Sequence, residues 1–338
     1  MKFGWRGALG IAISVVLLWY TLRGEDIGRI WSVLSHSNGL LWIVTAFFAT
    51  ITVPLRARRW EALLEPVVGR RLHFSALWHS TAVGVMVNNV APARAGEFAR
   101  AFALSRQEPE VKFTAAFASL AVDRLFDGTI LLLMMVVAML DPAFVKLNAD
   151  STQLFLWMRF TTAFLVVVLA ILALLVWAPQ RVFAMYDGTV GRVFTGIGPK
   201  GRHLLEGFAS GLGVLRSPKL MAEVFFWTVL HWASNGFAFW LGFKALGIEV
   251  PATAALLLQG IIAIGVAVPS SPGFFGAFEY FGKLGLGLYG TPSDQAVSWV
   301  IGYHVVSYIP ITVIGAWYLT RLKLHFRDFS GADTAPPA

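Results

Sequence analysis

Three ionisable residues lie together in the middle of an apolar segment, at Asp123, Arg124 and Asp127. Counted from Lys112 at about 1.5 Å per residue, Asp123 lies about 16 Å along a helix and so close to the centre of a bilayer. A charged group at that depth costs about 2.5–3.5 kcal/mol even on the mildest insertion scale. It therefore persists only where it faces protein or water and has partners.

Helical spacing leaves two interpretations of this cluster open. Asp123 and Asp127 share a helix face, and Arg124 is three residues from Asp127. In the first interpretation, an Arg–Asp pair neutralises itself and orients the helix. In the second, Arg124 is partly free to bind an anionic substrate.

A second cluster lies in the apolar segment 74–105, which Pro92 interrupts. A break there would expose the N-terminus of a half-helix, whose unpaired N–H groups and positive dipole favour an anion. Arginine suits phosphate because its planar fork binds two oxygens. Two alternatives compete, since Arg94 and Glu97 have the spacing of a pair and Arg100 has the length to reach the membrane interface. The polar residues of this segment are Asn88, Asn89, Arg94, Glu97 and Arg100.

The segment 252–288 is also interrupted and holds one acid, Glu279, beside its breaks. His304 lies in the next apolar segment. A lone histidine inside a membrane is more often hydrogen-bonded packing than a ligand or a proton relay. Across both interrupted segments, the residues predicted to break the helices are Pro92, Gly96, Pro269, Pro272, Gly273 and Gly276.

The composition is that of an integral membrane protein. Of 338 residues, 57% are hydrophobic and 14% are charged, whereas a soluble domain has about 25% charged residues. The net charge of +8 comes from Lys and Arg between apolar segments, which indicates cytoplasmic loops rather than a nucleic-acid surface. The chain has no Cys, which excludes disulfides, thiolate metal sites and cysteine nucleophiles. No metal or other cofactor is expected.

The hydropathy pattern predicts an all-α fold of about six transmembrane helices. The apolar N-terminal segment has no signal-peptide cleavage site, so it is counted as the first of these helices. Basic residues place 56–73, 178–219 and both termini in the cytoplasm, with 141–158, 247–251 and 289–297 outside. Each interrupted segment must then return to the side that it entered from, as a re-entrant hairpin. The predicted spans are 7–22, 39–55, 113–140, 160–177, 222–246 and 298–320.

Two further segments are predicted to lie outside the bilayer. The segment 178–219 has Leu204, Leu205, Phe208 and Leu212 at helical spacing, which is typical of an interfacial amphipathic helix. The tail 331–338 is predicted to be disordered.

A shift of 180 residues aligns the two interrupted segments. Pro92-Ala-Arg-Ala-Gly96-Glu-Phe98 then falls on Pro272-Gly-Phe-Phe-Gly276-Ala-Phe278, Trp60 on Trp240, and Arg124 on His304. Within one membrane domain, 1–330, the halves are about 1–142 and 154–322, with opposite orientations. Inverted repeats with broken helices are an architecture of transporters, although a duplication retained only as scaffold has the same pattern.

Motifs of soluble enzymes are missing from the sequence. It has no His-Glu-x-x-His, no phosphate-binding Gly loop followed by Lys-Ser/Thr, and no Gly-x-Ser-x-Gly. We therefore predict no catalytic residue and no enzyme. An acid pair inside the membrane could still act as a general base, so an intramembrane enzyme stays open as an alternative.

Four motifs in order resemble a known family. They are Arg58-Arg59-Trp60-x-x-Leu63-Leu64, Asn88-x-x-Ala-Pro92-x-Arg94-x-Gly96-Glu97-x-x-Arg100, Asp123-Arg124-x-x-Asp127 and Pro269-x-x-Pro272-Gly273-x-x-Gly276-x-x-Glu279. Together they resemble the flippase-like transmembrane domain of lysylphosphatidylglycerol synthases, over about residues 7–320. Asp123 stands where many relatives have Glu.

The resemblance implies a lipid translocator. In the synthases, this domain moves aminoacylated phosphatidylglycerol to the outer leaflet, and a separate soluble domain makes that lipid. Because the chain ends at Ala338 without such a domain, we do not expect aminoacyltransferase activity. The expected substrate-binding residues are Asn88, Asn89, Arg94, Glu97, Arg100, Asp123, Arg124, Asp127, Glu279 and His304.

The expected partner is a membrane lipid with an anionic or zwitterionic headgroup, and not nucleic acid. A homo-oligomer and proteins of envelope-lipid biosynthesis are further candidate partners. A scaffold of an envelope-lipid pathway that does not itself transport remains a third hypothesis beside the translocator and the enzyme. All three place the protein in the cytoplasmic membrane.

Overall fold

The computed structural model describes residues 5–91, 95–189, 217–267 and 270–329. Within these ranges the chain is helical and has no strand. Short 3₁₀ turns cover Pro272–Phe274 and Phe326–Phe329. The α-helices are α1 Trp5–Leu22, α2 Ile27–Ser35, α3 Gly39–Val68, α4 Phe74–Val90, α5 Gly96–Gln107, α6 Phe113–Met139, α7 Pro142–Leu147, α8 Thr152–Trp177, α9 Pro179–Gly188, α10 Pro218–Ala245, α11 Thr253–Ala267, α12 Ala277–Gly287 and α13 Ser293–Arg321.

Each predicted span lies on a helix, in α1, α3, α6, α8, α10 and α13. By length and composition alone, α3 and α13 can cross a membrane. A third crossing is added if Ala8–Leu22 and Ile27–Ser35, bent by 82°, form one span. The helix α6 has 27 residues but carries three charges in its middle. The all-helical class is confirmed for the described residues, while six crossings and two re-entrant paths stay predictions.

The helix α3 is longer than predicted. The sequence placed 56–73 in a cytoplasmic loop, but α3 continues to Val68 and ends at Gly69, whose φ of 80° is left-handed. Helix formers such as Ala57, Ala62 and Leu63 extend the helix, and these three side chains are buried. The loop assignment was wrong because the arginines of this stretch were assumed to face water.

The first interrupted segment forms two helices, α4 and α5, that lie very close together. The side chain of Asn88 accepts a hydrogen bond from the Gly96 N–H at 2.8 Å. A Cβ added at Gly96 would overlap the backbone oxygen of Gly84. Gly96 is thus required for this close crossing as well as for the break. Pro92 and Arg94 lie outside the described residues, as do the segment with Leu204 and its neighbours and the tail.

The second interrupted segment forms α11 and α12, joined by a turn with two left-handed glycines. Gly273 has φ 69° and Gly276 has φ 84°, a conformation that glycine adopts at little cost. Pro272, Gly273 and Gly276 therefore lie at the break where the sequence predicted it, and Pro269 is outside the described residues. The helix α1 packs against α12: Ser14 Oγ accepts the Ser271 N–H at 2.7 Å.

The helix bounds repeat with the offset found in the sequence. The helices α3 to α6 recur as α10 to α13, each end within three residues of a shift of 180. The repeats exchange partners, because α4 packs against α13 and α11 packs against α6. The described parts of the two hairpins meet, since Gly273 lies against the Asn89 backbone oxygen, which also accepts a hydrogen bond from Tyr308 Oη of α13 at 3.2 Å. The inverted orientation in a membrane is still a prediction.

Asp141, which precedes α7, joins the start of that helix to α11 by a hydrogen bond. Asp141 accepts the Thr253 hydroxyl at 2.5 Å and the Ala143 N–H at 2.8 Å. These bonds favour the ionised carboxylate and lower the pKa of Asp141.

The close crossing of α4 and α5 gives a stability test. We expect Gly96→Ala to lower the free energy of unfolding by about 1–3 kcal/mol or more, because overpacking forces the backbones apart. Gly128→Ala is the matched control, since a Cβ there meets nothing within 4 Å and alanine favours a helix. Thermal unfolding in detergent measures both variants. Equal melting temperatures would show that the close crossing of α4 and α5 at Gly96 does not contribute to stability.

Candidate functional site

Arg59 joins α3 to α6 at the centre of the candidate site. Its guanidinium donates to Asp127 Oδ1 at 2.6 Å and lies 2.6 Å from Asp123 Oδ1. The Arg59 side chain is wholly buried. Because Asp123 and Asp127 are one helical turn apart, one planar fork reaches both carboxylates. Burying these ions is costly, and the cost is offset only when every charge has close partners.

Two more helices contribute to the same pair of carboxylates. From α10, Trp232 Nε1–H donates to Asp127 Oδ1 at 2.9 Å. From α5, Arg100 Nη1 donates to Asp123 Oδ2 at 3.2 Å. Arg56 on α3 approaches both acids, with Nε 3.5 Å from Asp123 and Nη2 3.9 Å from Asp127. The two acids therefore join α3, α5, α6 and α10.

Arg100 is held inside the protein rather than at the membrane interface. It is 4% exposed, donates to Thr81 Oγ1 at 3.1 Å, and lies 4.0 Å over the Trp60 ring. The alternative that this side chain extends to the interface was wrong. The reason is that α5 folds back against α4 and α6, which turns Arg100 toward Asp123.

Arg124 occupies a different environment from Arg59. It donates to Glu97 Oε1, and its contact with Asp127 is long, at 3.4 Å. The Arg124 side chain is 44% exposed and that of Glu97 is 22% exposed. The predicted Arg124–Asp127 pair exists, but Arg59 is the closer partner of Asp127. Glu97, which the sequence paired with Arg94, contacts Arg124 across the two helices.

These charges border a pocket between α3, α4, α5 and α6. Its polar lining is Arg56, Asn88, Glu97, Arg100 and Arg124, beside Thr81, Gly84, Val85 and Gly96. In the described part of the chain, the guanidinium groups of Arg56, Arg59, Arg100 and Arg124 face the carboxylates of Glu97, Asp123 and Asp127. The cluster thus keeps one surplus positive charge, which favours an anion.

The structure does not bring every predicted site residue to this pocket. Asn89 donates to Thr312 Oγ1 at 2.7 Å and so ties the first hairpin to α13. Glu279 on the second hairpin pairs with His304 on α13 at 2.5 Å. Neither of these groups lines the pocket. Within the described ranges, no group of three His, Asp or Glu side chains is placed to hold a metal ion.

Sequence reasoning missed Arg56, Arg59 and Trp232 as parts of the site. A signal for Arg59 was available in the repeat, because the predicted span 222–246 contains Trp240, the equivalent of Trp60. A span of the same extent in the first half would have included Arg59. No one-dimensional pattern indicated Trp232.

The second repeat has aromatic rings where the first has ions. Shifted by 180, Arg59 falls on Phe239 and Asp123 falls on Tyr303. The centroids of these two rings are 4.5 Å apart, and both rings pack beside Trp299. At these positions, a charged centre is therefore present in the first repeat and apolar packing in the second.

The fold and the site define an all-helical membrane protein with a charged pocket beside a broken helix pair. The chain belongs to the family described as the lysylphosphatidylglycerol synthase TM region, whose model matches residues 7–315. The family predicted from the four motifs is thereby confirmed. No curated protein matches the chain.

Two arginines test the central ion pair. We expect Arg59→Gln to cost about 3–5 kcal/mol of stability, because it leaves two buried carboxylates short of a partner. Arg71→Gln, the control, removes a side chain that is 46% exposed and pairs with the partly exposed Glu65 and Glu223, and should cost less than about 1 kcal/mol. Thermal unfolding in detergent compares the two. Similar losses would mean that Arg59 is no more important than a surface arginine.

Proposed function

We propose that the protein moves a phosphate-bearing lipid between the leaflets of the cytoplasmic membrane, with the pocket receiving the headgroup. The observation that carries this proposal is the surplus positive charge beside an accessible Arg124. A phosphate supplies the missing negative charge and accepts paired hydrogen bonds from arginine.

The arginines divide into fixed and exchangeable ones. Arg59 and Arg100 are buried and held by Asp123, so they maintain the pocket. Arg124 is half-exposed and is held mainly by Glu97. A headgroup phosphate can replace Glu97 as its partner at small cost, because solvent-exposed ion pairs contribute little stability.

Arg56 adds a second donor for the phosphate. Its Nε is buried and lies 3.5 Å from Asp123 Oδ2, but it makes no hydrogen bond to the described residues, and Arg56 lines the pocket. A buried charged donor without a hydrogen bond costs more than about 1–3 kcal/mol. A phosphate oxygen would satisfy it. If the headgroup is zwitterionic, the displaced Glu97 carboxylate meets its amine.

The family membership and the hairpins support transport. The family name refers to the membrane region of enzymes that make a modified phosphatidylglycerol, a lipid that carries a phosphate. Broken helices that meet between inverted repeats form substrate sites in transporters. We extend the proposal to the predicted orientation, with both termini cytoplasmic and both hairpins re-entrant.

The geometry favours transport over lipid chemistry. A general base must be able to take a proton, but Asp123 is held by Arg59 and Arg100, and Asp127 by Arg59 and the Trp232 N–H. Both acids are thus engaged as structural anions. No observation in the described residues supports the enzyme or the scaffold over the translocator.

Reconstitution in vesicles with labelled phospholipids tests the proposal. We expect leaflet exchange by the wild type and at least about tenfold slower exchange by Arg124→Gln combined with Glu97→Gln, because the accessible phosphate contact of about 1.5–3 kcal/mol is lost. Removing both partners leaves Arg59, Asp123 and Asp127 paired, so the variant should fold. The control is Arg71→Gln with Glu223→Gln, a pair of nearly the same exposure, at 46% and 21%.

The outcomes separate the three hypotheses. Exchange without chemical change in the lipid, slowed only in the pocket variant, supports the translocator. A new lipid product supports the enzyme. A folded wild type that gives neither exchange nor product contradicts both and leaves the scaffold.

A further inference from the structure

The second hairpin holds a buried His–Glu pair that the pocket does not use. His304 on α13 and Glu279 on α12 are 7% and 4% exposed. His304 Nδ1 is 2.5 Å from Glu279 Oε1, and His304 Nε2 is 2.9 Å from the Gly273 backbone oxygen. The other carboxylate oxygen, Oε2, accepts the Gly276 N–H at 2.6 Å. The pair therefore fixes the turn between α11 and α12 to α13.

The geometry fixes how many protons the pair holds. A backbone oxygen only accepts hydrogen bonds, so His304 Nε2 must carry a proton. A carboxylate oxygen and a bare imidazole nitrogen both present lone pairs, so the 2.5 Å contact also needs a proton, on either Nδ1 or Oε1. If that second proton leaves, a lone pair faces a lone pair in a buried site, and the contact becomes repulsive.

No other described charge compensates for such a loss. The facing residues are Tyr308 and Tyr303 on α13, Asn89 on α4, and the rings of Phe275 and Phe278. The cation Lys283, one turn along α12 from Glu279, is engaged with Glu25 and the Thr21 backbone oxygen. The pair thus depends on its own proton.

We propose that Glu279 and His304 form a proton-binding site that holds the second hairpin tip closed, and that release of the proton lets the tip move. Gly273 lies against Asn89 of the first hairpin. Movement of the second hairpin therefore changes the packing of the first. Coupling of the proton to lipid movement rests on the proposed function, whereas the proton site itself does not.

A cysteine beneath the tip reports its movement, since the chain has no native Cys. Ser14 is 5% exposed and is covered by Ser271 and Gly276. In Ser14→Cys protein, we expect maleimide labelling, relative to detergent-unfolded protein at the same pH, to be several-fold faster in alkaline than in acidic buffer, because loss of the shared proton releases the tip.

Two variants and a control make the test specific. Glu279→Gln keeps the acceptor for the Gly276 N–H and gives His304 Nδ1 a permanent donor, so labelling should stay low at every pH. His304→Ala should label rapidly at every pH. His231→Gln, which removes another buried histidine, should behave as the wild type. All of these changes are made in the Ser14→Cys protein. Labelling of Ser14→Cys that does not change with pH, or that changes equally when Glu279→Gln is added, overturns the proton site.

Vesicles with a pH difference across the membrane test the coupling separately. Lipid exchange should respond to that difference in the wild type and not in Glu279→Gln. An equal response in both overturns the coupling. Absence of exchange in all proteins contradicts the proposed function and also the coupling, while the labelling still decides the proton site.

Discussion

One guanidinium held between two carboxylates constrains the first half of the molecule. Arg59 can reach Asp123 and Asp127 only if α3 continues as a helix well beyond the apolar stretch and α6 turns its acidic face toward α3. Asp123 then has an oxygen left for Arg100, which fixes α5 against the bundle. The path of the first hairpin therefore follows from the need to pair buried ions.

The same requirement creates the pocket. Among the described residues, three carboxylates cannot neutralise four guanidinium groups, and Arg124, whose main partner Glu97 is itself partly exposed, has the most exposed side chain of the four. The second repeat avoids this situation by packing Phe239 against Tyr303. Each hairpin is nevertheless tied to the last helix of its repeat, α6 or α13, by an acid–base contact, Glu97 with Arg124 and Glu279 with His304. The Glu97–Arg124 contact is partly exposed, which suits exchange of Glu97 for a ligand. The Glu279–His304 contact is buried, which suits the holding of a proton.

Much of the fold followed from local patterns. The six long helices, the two breaks and the offset of 180 are visible because apolar length and Pro/Gly positions act over a few residues. The depth of Asp123 and Asp127 correctly indicated that they face protein. Arg59 was misplaced, because charge counting assigns arginine to water, and its acceptor Asp127 is 68 residues away in the chain. Long-range pairing of that kind has no local signature, although the repeat would have extended α3.

Calorimetric binding of two lipids that differ only in the headgroup phosphate tests the central claim most directly. Short-chain phosphatidic acid and the diacylglycerol with the same acyl chains would be titrated into the purified protein. A pocket with a surplus guanidinium should bind the phosphate-bearing lipid at least about tenfold more tightly, a difference of about 1.4 kcal/mol. Equal affinity for the two lipids would contradict the assignment of this charged pocket as a headgroup site.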